Sequence, residues 1–94
     1  MTAIRTDGMR DRIAAHPFPR GGVEVVRASR GYTLYSRRTD GPVARLRPTG
    51  QDKVQVLWWR GGAWADPGDF GPRIMPLDQA LEFIATKDFF WINA

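Results

Sequence analysis

The 94 residues hold 43% hydrophobic and 26% charged side chains, the makeup of one small folded domain spanning 1–94 and not of a disordered segment. Cysteine is absent, which excludes disulfides, thiolate metal sites and a cysteine nucleophile; the single histidine, His16, excludes the two-histidine zinc motifs. Fourteen Lys and Arg against ten Asp and Glu give a formal charge of +4, so an acidic partner is the first expectation.

That charge is uneven in kind and in place. Twelve of the fourteen cations are Arg, beside ten Ala, ten Gly and seven Pro, a usage that GC-rich coding produces without selection for charge. Residues 1–60 carry twelve basic and five acidic side chains, net +7, whereas 61–94 carry two and five, net −3. No apolar run approaches the roughly 20 residues of a membrane span. Residues 1–15 lack the apolar core and small-residue site of a signal peptide, so a cytoplasmic protein is expected.

In chain order, Met9, Ile13 and His16 share one face of a predicted short helix from about Asp7 to Ala15, with Asp7 as N-cap and Pro17 as the stop. The period then changes to two. Val23 to Ala28, Tyr32 to Arg37, Val43 to Arg47 and Lys53 to Trp59 are β-branched or aromatic runs separated by turn clusters, with a fifth short strand at about Ala63 to Asp66. Loops this short require antiparallel pairing. Asp66 to Pro72 reads as a loop. Leu77, Ala80, Leu81, Ile84 and Ala85 then form the apolar stripe of an amphipathic helix, with Pro76 in its first turn and Asp78 near its positive end. Phe89 to Ile92 is too aromatic for a solvated tail and reads as a further strand or a plug against the sheet. The expected fold is α+β: an antiparallel β-meander of about five strands, the C-terminal amphipathic helix packed on one face, and the short N-terminal helix.

Alternation assigns Val23, Val25, Tyr32, Leu34, Ala44, Leu46, Val54, Val56 and Trp58 to the covered face. The other face then carries Glu24, Val26, Thr33, Tyr35, Arg37, Val43, Arg45, Arg47, Lys53, Gln55, Leu57 and Trp59. From it come the candidate binding residues Tyr35, Arg37, Arg45, Arg47, Lys53 and Trp59. The four cations suit phosphates and the two aromatics suit stacked bases, as in sheet-face binders of single strands. The same face, with Val26, Val43 and Leu57, also suits protein contact or self-association, including a basic sheet against the acidic helix end of the next copy.

Other constellations reduce to local structure. Arg-Gly-Gly at 20–22 and 60–62 marks two turns, and Asp69-Phe70-Gly71 lacks every other kinase element. Asp66, Asp69 and Asp78 lack the alternate spacing and closing Glu of a calcium loop, and His16, Ser29 and Ser36 have no nucleophile context. No catalytic residue, cofactor or metal site is expected. The run Val54 to Trp64, with Gly68 to Gly71 and the helix from Pro76 to Ile84, resembles small bacterial domains, a resemblance that implies no activity. The expected function is non-enzymatic: a binding or interaction module for protein contact or homodimerisation, with single-stranded DNA or RNA binding by the same face as the alternative.

Overall fold

A computed structural model describes residues 8–28, 30–68 and 74–92. Its elements are α1 (Gly8–Ala15), β1 (Val23–Ala28), β2 (Gly31–Ser36), β3 (Pro42–Gly50), β4 (Lys53–Arg60), β5 (Ala63–Ala65), β6 (Ile74–Pro76), α2 (Leu77–Thr86) and a 3₁₀ turn (Asp88–Trp91). The first five strands form an antiparallel meander in sequence order, and β6 pairs with the start of β4 on the edge whose other end holds β5. The fold is therefore α+β, with six strands where five were expected.

The β-branched and aromatic runs become strands because their alternation buries one face. All nine side chains assigned to the covered face reach the core or pack against it, Trp58 as the partly buried member. Leu77, Ala80, Leu81 and Ile84 of α2 close over them, and Ile13 of α1 enters the same core fully buried. Pro76 is the N-cap of α2, one position outside the helix, and doubles as the end of β6. The aromatic C-terminal run is a plug: Phe90 and Trp91 are buried in the 3₁₀ turn, and the Trp91 indole N–H donates to the Ile84 carbonyl at 2.9 Å.

One expected position moves. Leu34 pairs with Ala44 while Tyr35 pairs with Pro42, so the extra residue Val43 makes a β-bulge. The bulge turns Val43 out of the strict alternation, and it lies in the core with no exposure. Edge strand β1 is covered on its core side, since Val23 and Val25 are only 3% and 5% exposed in a core that also holds Ile13 and Phe18. Edges β5 and β6 are three residues long, and β6 ends in proline, both of which discourage strand addition. Among the described residues no helix is long and apolar enough to cross a membrane.

The N-terminal helix is tied down by charge. The Arg12 guanidinium donates to both Asp52 oxygens, at 2.5 and 3.0 Å, and to Asp78 at 2.9 Å, joining α1 to the β3–β4 turn and the start of α2. The hydrogen bonds from Arg12 lower the Asp52 pKa. A carboxyl depressed in the folded state stabilises above the pKa of its unfolded counterpart, near 4, and this stabilisation is lost as pH falls through the folded value. Urea denaturation from pH 6 down to pH 2 should therefore show a smaller acid-side loss for Asp52→Asn than for the parent chain; parallel pH profiles would remove Asp52 as a source of acid sensitivity.

Candidate interaction face

The sheet face opposite the core follows directly from strand register. Val26 pairs with Thr33, Thr33 with Arg45 and Arg45 with Leu57, so these four form a row across β1 to β4. Toward one end lie Glu24 with Tyr35, and Trp59 with Trp64. Toward the other lie Arg47, Gln55 and Ile74, then Lys53. Among the described residues neither helix lies over this face, because the buried sides of α1 and α2 enter the core on the other side.

The six residues expected to form a binding face divide into distinct environments. Arg47 and Lys53 are exposed, and Tyr35 and Trp59 are half-buried. Arg37 lies past the end of β2 in the turn to β3, where its backbone N–H donates to the Gly22 carbonyl at 3.1 Å, at the far end of the face from Arg47. Tyr35 lies two strands from Trp59, a separation of about 10 Å. Arg45 is only 5% exposed: its guanidinium donates to the Thr33 hydroxyl and the Ala28 carbonyl, each at 2.8 Å. Burial, and then the adjacent charge of Arg47, lower its pKa from the ordinary arginine value. Arg45 is thus a strut laid across β2 to β1 that brings positive charge to the face from beneath.

Gly31 makes that path possible. A Cβ there would lie 2.7 Å from the Leu46 carbonyl oxygen, 3.2 Å from Nη2 of Arg45 and 3.3 Å from Cγ of Arg47.

The tryptophans resolve by register. Trp59 and Trp64 meet edge to face at 5.0 Å on the open side. Trp58 points to the core side, where it packs against Phe89 at 4.8 Å, carries the Arg60 guanidinium at 5.9 Å and donates its indole N–H to the Asp66 carbonyl at 3.2 Å. Trp64 and Ile74, the latter 52% exposed, are face residues that sequence reasoning did not select. For Trp64 the signal was the two-residue Gly61-Gly62 turn, which fixes its pairing with Trp59; for Ile74 no periodic signal exists in a three-residue strand.

The residues considered for chemistry hold structural positions. Asp78 pairs with Arg12, the Asp66 carboxylate accepts the Gly68 N–H at 2.9 Å, and the Ser36 hydroxyl accepts the backbone N–H groups of Arg38 and Thr39. His16 Nε2 lies 3.7 Å from Glu82 Oε1, and its ring lies 4.8 Å from that of Phe18. Among the described residues no three His, Asp or Glu side chains are gathered as a metal site. Asp7, Ser29 and the Asp69-Phe70-Gly71 triplet lie outside the described residues. An open cleft of about 640 Å³ beside the β4–β5 hairpin is lined by Leu57, Arg60, Trp64, Asp66 and Pro67.

No family model matches the chain, and neither curated proteins nor solved structures give a match.

The tight approach at Gly31 is testable. Gly31→Ala should part β2 from β3, disturb the Arg45 strut and destabilise the fold by roughly 2 kcal/mol, the range of overpacked sites. Urea midpoints measure this; an unchanged midpoint would mean that the strands separate there without loss.

Proposed function

We propose that the protein is a small non-catalytic interaction module that uses its open sheet face for protein–protein contact, with an acidic partner or with a second copy of itself. The observation that carries this reading is the segregation of α1, α2 and the 3₁₀ turn to one side of the sheet. The opposite side keeps the Trp59–Trp64 pair, half-buried Tyr35 and exposed Val26 and Ile74. Aromatic and arginine side chains on one surface are what protein interfaces enrich. Among the described strand residues of this face, Glu24 is the one carboxylate against Arg45, Arg47 and Lys53, which favours an acidic partner. A cytoplasmic setting, in which a cysteine-free chain forgoes no disulfide, belongs to the same proposal.

A second reading, binding of single-stranded DNA or RNA, is favoured by exposed Arg47 and Lys53 on the face that also carries Tyr35 and Trp59. Backbone-amide NMR separates the two. A dilution series and a glutamate-rich peptide should shift Tyr35, Arg47, Lys53, Trp59 and Trp64 if the protein reading holds. Oligothymidylate should shift the same residues, with affinity falling steeply from 50 to 200 mM salt, if the nucleic-acid reading holds. Shifts confined to α1 and α2 under all conditions would overturn both.

A further inference from the structure

Helix α1 is too short to hold itself together, because eight residues are marginal as an isolated helix in water. Its stability comes from the body of the molecule. Ile13 is fully buried among side chains of the sheet and α2, Arg12 donates to Asp52 and Asp78, and His16 Nε2 lies 3.7 Å from Glu82 Oε1. Phe18, also buried, meets the Trp91 ring at 6.1 Å. A second copy of the chain presents the same set of partners.

The link between this arm and β1 is a tight turn. The Gly22 N–H donates to the Pro19 carbonyl at 3.2 Å, and Arg20, Gly21 and Gly22 all hold a left-handed backbone, at φ 57°, 88° and 85°. Glycine accepts that conformation freely, whereas Arg20 is strained by it. Just before the turn, Pro17 and Pro19 fix their own φ and bias the residues preceding them toward extended backbone. The chain is therefore folded back by a strained turn at the end of a stretch predisposed to run straight.

We propose that the N-terminal arm, residues 8–18, exchanges between two copies of the chain, with 19–22 as the hinge. In the exchanged dimer each Ile13 seats in the core of the other copy, and each Arg12 meets the other copy's Asp52 and Asp78. The arm's contacts are the same in both states, so the hinge decides between them. Opening it gives up the Gly22-to-Pro19 hydrogen bond, in an exposed turn where water replaces it, and releases the left-handed backbone. Joining two chains costs translational freedom, which places the balance under the control of concentration. Reciprocal exchange is two-fold and closes on itself, so assembly stops at two. The surface used is the helix-bearing side of the sheet, so the exchange does not depend on the open-face contact.

Gly21 provides the mutational test, since a Cβ there would meet nothing within 4 Å and Gly21→Ala strains the closed turn through backbone conformation alone. Sedimentation of the full chain over a concentration series should show a monomer–dimer equilibrium. Gly21→Ala should strengthen the dimer roughly tenfold, because two hinges are relieved together. Gly8→Ala, equally unobstructed and without a left-handed backbone, should leave the equilibrium unchanged. The absence of cysteine permits a direct readout that does not rest on Gly21. Chains carrying His16→Cys and chains carrying Glu82→Cys, refolded together, should be joined to one another by a short bis-maleimide. A monomer at every concentration, a Gly21→Ala dimer no tighter than the parent's, or a dimer in which positions 16 and 82 never join between chains would overturn the exchange. Dimer formation without that cross-link, but with shifts at Trp59 and Trp64 on dilution, would overturn it and leave the open-face contact standing.

Discussion

A six-stranded sheet in a chain this short faces one constraint before any other: there is too little helix to cover both of its faces. Helices α1 and α2 and the 3₁₀ turn at Asp88–Trp91 hold eight, ten and four residues, and all three pack into the same core. Removing apolar surface from water drives this packing, and concentrating the cover on one face completes a single core where splitting it would leave two incomplete ones. The other face keeps Thr33, Arg45 and Leu57 buried along its middle row, presents Arg47 and Lys53 to water, and leaves Gln55, Tyr35, Trp59 and Trp64 half-buried.

The same constraint explains where sequence reasoning succeeded. Alternation from Val23 to Val25 and from Lys53 to Val56 follows from one side of each strand being core, so strand position and inward residues were legible from those runs; it lapses at Leu57, which is buried on the opposite face. The α2 stripe was legible for the same reason. What escaped is what periodicity does not encode. The Val43 bulge inserts a residue without altering composition, and β6 is too short to show a period. The 3₁₀ turn at Asp88–Trp91 competes with a strand because aromatic residues serve either; the hydrogen bond from Trp91 to Ile84, a tertiary contact, decides it. Arg45 is the instructive case among the face residues. Its position on the open side was correctly assigned, yet its burial depends on Gly31 and Thr33 one strand away, and no local pattern announces that.

Much of the chain's polar chemistry is used to hold shape. Asp66 and Ser36 order turns, Asp52 and Asp78 receive Arg12, and Thr33 receives Arg45. Groups of these types are the raw material of catalytic sites, but here their partners are structural. The open face differs in carrying the Trp59–Trp64 pair toward one end and exposed Arg47 and Lys53 toward the other.

The Arg12 contacts have a consequence for how the molecule assembles. The meander consists of hairpins whose partners are near in sequence, so each can form with little loop closure. Arg12, by contrast, reaches residues 40 and 66 positions away along the chain. Its geometry exists only once the β3–β4 turn and the beginning of α2 are already adjacent. The N-terminal helix is therefore held by a contact that no local segment can make alone, one that needs the β3–β4 turn and the start of α2 side by side.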